Sequence, residues 1–266
     1  QVLSFLIGSE LLLPSPWAVV RSFCGLAQTT EFYRSILHTL LRVAAGFAAG
    51  MAAGLLAGTL TAFSRAADVL LTPLKNIIKA TPVTSFIVLI LLYFSSNVTP
   101  SAVAFLAVLP ICWSNVCEGL RQTDKKMTEL AHAYAFGRKK TLREIYFPAV
   151  RPYLSAAATT GLGFAWKSCV AAEVIALSKN SVGRALYESK LYLETAELFA
   201  WTASVVLISV LFEKLLVHKL FKNKNAEGAA GRRSESLEHG HASCEVELQY
   251  KSDAYAEYGR DEERNI

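Results

Sequence analysis

Charged side chains are scarce over most of this chain. The 266 residues are 53% hydrophobic, and the first 221 contain only 20 Lys and Arg and 12 Asp and Glu. That is about 14% of the stretch, whereas an ordinary soluble domain has roughly 25%. The scarcity argues against a water-soluble domain and favours a protein that crosses a membrane several times. The last 45 residues, with 7 basic and 10 acidic side chains, are typical of a polar tail.

Motifs for metal binding and for ATP hydrolysis are also absent. The five Cys show no Cys-x-x-Cys spacing, so we expect no metal site and no cofactor. No Gly-x-x-x-x-Gly-Lys-Ser/Thr phosphate loop occurs in the sequence. We therefore do not expect the chain to be an enzyme or to hydrolyse ATP itself.

Long runs without charge predict the membrane spans. A helix that crosses about 30 Å of hydrocarbon needs roughly 20 mostly apolar residues. Residues 43–64 form one such run, and residues 80–117 form a second that is long enough to cross twice, with a turn at residues 95–100. Two further apolar segments, residues 149–177 and 198–220, bring the number of complete spans to five.

The ends of the chain complete this organisation. Residues 1–13 are apolar without the basic flank or cleavage site of a signal peptide, so we expect the remnant of a first transmembrane helix. A buried strand or a re-entrant stub is the alternative. The prediction is an all-α integral membrane bundle of about six helices, the first of them truncated. It comprises residues 14–35 as an extracytoplasmic connection, residues 36–220 as the transmembrane domain and residues 221–266 as a disordered cytoplasmic tail.

The distribution of basic residues predicts the orientation. Residues 118–147 carry seven Lys and Arg, so this connection should be cytoplasmic. Residues 178–197 carry three and residues 95–100 none, so both should lie outside. All five complete spans agree with this one topology.

Small residues at regular spacing predict close helix packing in the first complete span. Glycine recurs every four residues there, at Gly46, Gly50, Gly54 and Gly58. In lipid, a face of small residues lets a second helix approach closely. We favour packing within one subunit, with a dimer seam as the alternative.

The basic connection has the pattern of two short helices joined by a bend. Apolar residues at helical spacing form one stripe: Met127, Leu130, Ala131 and Tyr134. Gly137 can end this helix, and Thr141 with Glu144 forms a capping box that would begin the next. Pro148 disfavours helix at Phe147 and would restart the chain into the next span. Such a unit fits a groove in a partner protein.

The same connection resembles the signature loop of the membrane permeases of binding-protein-dependent ABC importers. That loop runs Glu-Ala-Ala, three residues, Gly, nine residues, Ile, one residue, Leu-Pro. Matches at this spacing are Glu129, Ala131, Ile145 and Pro148. The departures are Leu130 for the first Ala, Ala135 for the Gly, with Gly137 two residues late, and Phe147 for the Leu. Further similarity, to the nitrate/sulfonate/taurine branch of the family, lies in residues 13–16, 79–83, 164–167 and 171–173.

The resemblance implies a type I ABC importer permease in the inner (plasma) membrane. Its expected partners are ABC ATPase subunits in the cytoplasm, an extracytoplasmic solute-binding protein, a second permease copy and membrane lipid, but no nucleic acid. It further implies that the loop docks on an ATPase through Glu129, Ala131, Ala135, Gly137, Ile145 and Pro148.

Two charges, Lys167 and Glu173, are the only ones well inside a predicted span. A Lys near the bilayer centre costs about 2.5–3.5 kcal/mol on insertion scales, so its side chain should face the bundle interior, a water-filled path or a partner. One hypothesis is that Trp166, Lys167 and Glu173 line a translocation path for an anionic or zwitterionic solute. The equally favoured alternative is a structural charge paired with another helix.

Two other classes of protein remain open at this point. A secondary transporter or channel would carry no ATPase-docking loop, and most such folds have an inverted repeat and more spans. A membrane scaffold protein would not need Lys167 in its interior. The loop resemblance and the intramembrane Lys favour the ATP-driven importer over both.

Overall fold

The structure is a computed structural model that describes residues 14–212 and 214, and every regular element within these residues is helical. The elements are α1 (Pro16–Leu26), α2 (Thr30–Phe63), α3 (Arg65–Ala80), α4 (Val83–Tyr93), α5 (Thr99–Arg121), α6 (Lys125–Ala133), α7 (Arg138–Thr141), a π-helical turn (Leu142–Tyr146), α8 (Phe147–Ala176), α9 (Val182–Leu191) and α10 (Thr195–Phe212). The predicted helix remnant at residues 1–13 and the polar tail at residues 221–266 lie outside the described residues.

Several of these helices are long and apolar enough to cross a membrane. Among the described residues they are α2, α5 and α10, and α3 with α4 forms a fourth candidate that is bent by 103° at its break. α8 has 30 residues but includes Arg151, Lys167 and Glu173. The chain is thus an all-α membrane protein, as its composition predicts.

The predicted turn at residues 95–100 is present, because α4 ends at Tyr93 and α5 begins at Thr99. The predicted beginning of the first complete span at residue 43 is wrong. α2 begins at Thr30, inside the segment that was predicted to be a connection, and the Thr29 hydroxyl caps it by accepting from the Phe32 N–H. The error arose because the prediction began the span where charged residues end, whereas the helix continues through them.

A break at Thr81 and Pro82 separates α3 from α4, the helix that forms the first half of the uncharged run at residues 80–117. Thr81 adopts extended dihedral angles (φ −76°, ψ 128°). This is the conformation that the following residue, Pro82, imposes on its neighbour. α4 alone has 11 residues, about 16 Å, and so cannot cross the bilayer by itself. Ile87 and Ile90 anchor it by packing with buried residues of α5 and α8.

The four-residue glycine repeat lies where α2 packs against α5 of the same chain. A Cβ added to Gly46 would lie 2.4 Å from the Ser101 carbonyl oxygen, and one added to Gly54 would lie 2.6 Å from the Cys112 Cβ. Gly50 and Gly58 make similarly close approaches to α5. A helix of the same chain therefore occupies the whole glycine face.

α8 completes the core beside α2 and α5. The buried residues of the main cluster come from these three helices and are Val43, Ala104, Val108, Ala165, Trp166, Cys169 and Val170. α8 runs from the loop at residues 118–147 (the loop end) to the connection at residues 177–181 (the opposite end).

Candidate functional site

The 118–147 loop turns at Ala135. α6 ends at Ala133, and Ala135 has a positive φ of 51°. The Phe136 N–H donates to the Ala131 carbonyl oxygen at 2.8 Å, which closes the end of the helix in the way that usually requires glycine at the turning residue. Ala135 occupies the position of Gly in the permease signature. The prediction that Gly137 ends the helix is therefore wrong by two residues.

The second half of the loop continues into α8 without interruption. Thr141 is helical (φ −57°, ψ −44°) and makes no side-chain cap, so the predicted capping box with Glu144 is wrong. Phe147 is helical as well, and its N–H donates to the Leu142 carbonyl oxygen, five residues back. This wider π-helical turn accommodates Pro148, which has no N–H to donate and would crowd the carbonyl of an ordinary turn.

The apolar residues of α6 point away from the rest of the chain. Met127, Leu130 and Tyr134, which we call the apolar stripe, are 54%, 55% and 71% exposed. Ala131, in contrast, is buried. A contiguous set of large exposed apolar side chains usually marks a contact with a partner.

The other predicted docking residues lie around this stripe. Glu129, Ala135, Gly137 and Pro148 are exposed, and Ile145 is half-buried. Leu142 and Phe147 add further exposed apolar surface beyond the bend. The Lys140 ammonium lies 4.0 Å from the centre of the Phe136 ring, a cation–π distance. The loop thus presents apolar and basic surface together.

Contacts at the base of the loop join it to the bundle. Arg121 forms an ion pair with Asp68 of α3 at 2.6 Å. The Tyr153 hydroxyl donates to the Gln122 side-chain oxygen, which ties α8 to the end of α5. The Tyr146 ring packs edge-on against Phe63 with 5.3 Å between the ring centres. These contacts hold the ends of the loop and leave the apolar stripe free.

Lys167 lies on a face of α8 that no other described helix covers. The face also includes Thr160, Phe164, Ala171 and Ile175, all of them exposed. None of the acidic side chains that the structure describes forms an ion pair with Lys167. Because an ammonium group in hydrocarbon is costly, this face fits a second protein chain or a water-filled path better than lipid.

Trp166 and Glu173 do not share this face. Trp166 is 1% exposed and packs against Phe212 of α10, and Glu173 is 0% exposed. Neither side chain has surface that a solute could touch in the described chain. Their predicted place in the path is therefore revised to a place in the packing of the bundle, and only Lys167 of the three faces outward.

Three groups around the Glu173 carboxylate satisfy it completely. The Thr39 hydroxyl lies 3.0 and 2.9 Å from its two oxygens, and Arg42 Nη1 donates to Oε1 at 2.9 Å. The Gly183 N–H donates to Oε2 at 3.3 Å. A Cβ on Gly183 would lie 2.4 Å from the Glu173 Cβ, so α9 can approach this closely only with glycine there. A buried charge persists only with partners of this kind.

Arg42 extends these contacts to the connections at the opposite end. Its Nη2 donates to the Lys179 carbonyl oxygen at 2.9 Å and reaches the Asn97 side-chain oxygen at 3.5 Å. Asn97 also accepts from the Lys179 N–H at 3.0 Å. We call this set of residues the Glu173 network: Thr39, Arg42, Asn97, Glu173, Lys179 and Gly183. It joins α2, the turn before α5, α8 and α9.

The sequence did not identify Arg42 as a partner of Glu173. It directly precedes the uncharged run at residues 43–64 that was used to define the span, so it was not counted among the charges inside a span. A usable signal was nonetheless present, because a Glu inside a span requires an opposite charge and Arg42 directly adjoins that run.

A polar cleft lies beside the network at the opposite end. It is formed by residues before and within α2, by α9 and by the first turn of α10. Both signs of charge line it, in Glu31, Arg34, Lys179, Arg184, Glu188 and Glu197. The cleft gives this end a concave, hydrophilic surface.

The all-helical bundle of the described residues and its exposed amphipathic loop define a class of protein, a multi-pass membrane protein. Residues 50–218 match the family described as binding-protein-dependent transport system inner membrane component. This chain belongs to that family and is an ABC importer permease, a multi-pass protein of the inner membrane.

Curated relatives agree with this assignment. The chain is 27% identical over 223 residues to the putative aliphatic sulfonates transport permease protein SsuC of Bacillus subtilis, covering 82% of this chain and 80% of that protein. It is 28% identical over 212 residues to the protein of the same description from Escherichia coli (78% and 76%). It is 31% identical over 214 residues to the riboflavin transport system permease protein RibX of Chloroflexus aurantiacus (77% and 80%). These relatives are transport proteins, not enzymes.

Proposed function

We propose that this chain is one of two permease subunits of an ATP-driven importer. Cytoplasmic ATPase subunits would dock on the 118–147 loop, and an extracytoplasmic binding protein would deliver the solute to the opposite end. The observation that carries the proposal is the apolar stripe, since Met127 and Leu130 of α6 and Tyr134 directly after it are all exposed.

The surroundings of the stripe favour a protein partner over lipid. Lys126, Lys139 and Lys140 are exposed in the same loop. Charged groups at this density resist insertion into hydrocarbon. A short amphipathic helix with its apolar side outward fits a groove, and full burial of a Leu side chain contributes about 1.5–3 kcal/mol. A cleft in each ATPase would supply that groove.

The uncovered face of α8 supports a second permease copy and a path for solute. If two copies meet at this face, both Lys167 side chains lie at the interface. Like charges repel there unless an anionic group lies between them. Two relatives are named for aliphatic sulfonates, which carry a permanent negative charge, and this supports an anionic or zwitterionic solute. The polar cleft at the opposite end offers a surface to the binding protein.

Co-purification with the ABC ATPase of the same transport system tests the proposal. Leu130→Gln places an amide in the apolar stripe, so we expect it to release the ATPase. Ala133→Gln is the matched control, because it adds the same side chain to an exposed position of α6 outside the stripe. Both variants should reach the membrane in equal amounts. A wild-type chain that binds no ATPase would favour a secondary transporter, a channel or a scaffold instead.

A further inference from the structure

One helix joins the 118–147 loop to the Glu173 network. α8 runs without a break from Phe147, which directly follows the loop, to Ala176, beyond Glu173. Its 30 residues extend about 45 Å at 1.5 Å per residue. Because no flexible connection interrupts it, a displacement of its first turn reaches the opposite end directly.

Glu173 is the point at which such a displacement passes to other segments. Thr39 and Arg42 tie the carboxylate to α2, and the Gly183 N–H ties it to the first turn of α9. Through Arg42 and Asn97 the tie extends to the turn before α5. Since the carboxylate is fully buried, water cannot replace these partners at low cost, so the tied segments should move with α8.

The ties at the loop end are of another kind. The Asp68 and Arg121 side chains of the ion pair there are 33% and 48% exposed. Exposed pairs of this kind hold their helices together only weakly. The π-helical turn Leu142–Tyr146 directly precedes α8, and such turns often occur at functional sites. That ion pair joins α3 to α5, whereas α8 itself packs at this end through apolar residues, Val150 and Ala157, against α5. At the opposite end α8 is held by buried, directional hydrogen bonds, which fix the positions of its neighbours.

We propose that Glu173 is a positioning residue for coupled transport. Its carboxylate holds α2, α9 and the 95–98 turn to α8, so that a movement of the 118–147 loop reaches the opposite end of the chain. This inference rests on the proposed function, because it assumes an ATPase that moves the loop. It assigns the buried Arg42–Glu173 ion pair to transmission as well as to stability.

The distance between two spin labels tests this transmission in the assembled permease–ATPase complex in nanodiscs. Labels at Val98→Cys and Tyr187→Cys report on the turn before α5 and on α9, and both sites are exposed. Cys24 and Cys244 are first replaced by Ser. The distance is measured without nucleotide and after the ATPase is trapped with ATP and vanadate. In the otherwise wild-type chain we expect the same narrow distance distribution in both states, because the network holds the two segments together.

Glu173→Gln keeps the size of the side chain but removes the negative charge that pairs with Arg42. It also leaves one acceptor oxygen where Arg42 and the Gly183 N–H now use two. We expect this variant to bind the ATPase and hydrolyse ATP at the basal rate. Its label distance should be normal without nucleotide and should broaden and shift by several ångströms in the trapped state. Thr202→Val is the control, since it removes an exposed hydroxyl that donates to the Leu198 carbonyl oxygen of its own helix. The control should behave as the wild type does.

Two results would overturn the inference. One is a Glu173→Gln distribution that matches the wild type in the trapped state. The other is a Glu173→Gln distance distribution that is equally broad with and without trapped nucleotide, together with loss of the permease–ATPase complex and of ATP hydrolysis. A residue with a purely structural role would give that second result. If Glu173→Gln does not accumulate, Thr39→Val removes one hydroxyl and keeps the ion pair, and a smaller broadening in the trapped state is expected. If the wild-type chain binds no ATPase, the proposed function itself is refuted, and this result is obtained before any Glu173 variant is measured.

Discussion

Lys167 and Glu173 lie six residues apart on α8 and face opposite environments, Lys167 at an uncovered surface and Glu173 fully buried beside Arg42. Residues at this spacing point about 120° apart on a helix. One helix therefore exposes a cation on one side and binds its neighbours through a carboxylate on the other.

Replacement of Lys167 tests whether its charge serves the path. We expect Lys167→Met to lower uptake of the proposed anionic solute by about tenfold, equivalent to roughly 1.4 kcal/mol, because the attraction for the anionic group is lost. Lys167→Arg keeps the charge and should retain most of the uptake. Membrane insertion and ATPase binding should be unchanged in both variants. Uptake by Lys167→Met at the wild-type rate would exclude Lys167 from the path.

Replacement of Arg42 should destabilise the chain strongly. Arg42→Met leaves Glu173 buried without its countercharge, and the removal of one partner from a buried pair typically costs about 3–5 kcal/mol. Arg184→Met breaks the exposed pair with Glu188 and should cost less than about 1 kcal/mol. Thermal unfolding of the two purified variants in the same detergent measures the difference. An equal drop in unfolding temperature for Arg42→Met and Arg184→Met would show that burial does not strengthen the Arg42–Glu173 pair.

The close approach of α2 to α5 predicts opposite effects for two Gly to Ala substitutions. Gly54→Ala places a methyl group 2.6 Å from the Cys112 Cβ. Overpacking of this kind usually costs about 1–3 kcal/mol. Nothing lies within 4 Å of a Cβ at Gly163 in α8, so Gly163→Ala should leave stability unchanged or raise it through helix propensity. A lower unfolding temperature for Gly163→Ala than for Gly54→Ala would contradict the packing described above.

The turn of the 118–147 loop predicts that Ala135→Gly stabilises it. The positive φ of Ala135 costs a residue with a Cβ about 1–2 kcal/mol, and glycine avoids that cost. Ala135→Val should have the reverse effect, because a branched side chain tolerates this conformation poorly. Gly137→Ala should have little effect, since no atom lies within 4 Å of the added methyl group. Amide hydrogen exchange of residues 127–136 measures the effect: exchange should be slower in Ala135→Gly, faster in Ala135→Val and unchanged in Gly137→Ala.

The general architecture could be predicted from the sequence, and the geometry at particular residues could not. Uncharged runs and the turn-forming residues at 95–100 correctly indicated α5 and the end of α4, because both signals are local. Arg42 was missed because a buried ion pair joins residues far apart in the sequence. The turn at Ala135 was missed because alanine rarely adopts a positive φ, so local preference placed the end of the helix at Gly137 instead.

The loop conformation shows the same limit at Pro148. Local rules predicted a break before this residue, and the π-helical turn instead carries the helix through it. The apolar stripe on α6 was visible as a pattern in the sequence. Only the structure shows that Met127, Leu130 and Tyr134 face outward while Ala131 is buried.

Photo-crosslinking from the apolar stripe tests the central claim most directly. Benzoylphenylalanine is placed at Leu130 in cells that contain the ABC ATPase of the same transport system. The control position is Leu207 of α10, which is equally apolar and exposed. The proposed docking predicts an adduct between this chain and the ATPase from position 130 and none from position 207. The absence of an ATPase adduct at position 130, or equal adducts at both positions, would contradict it.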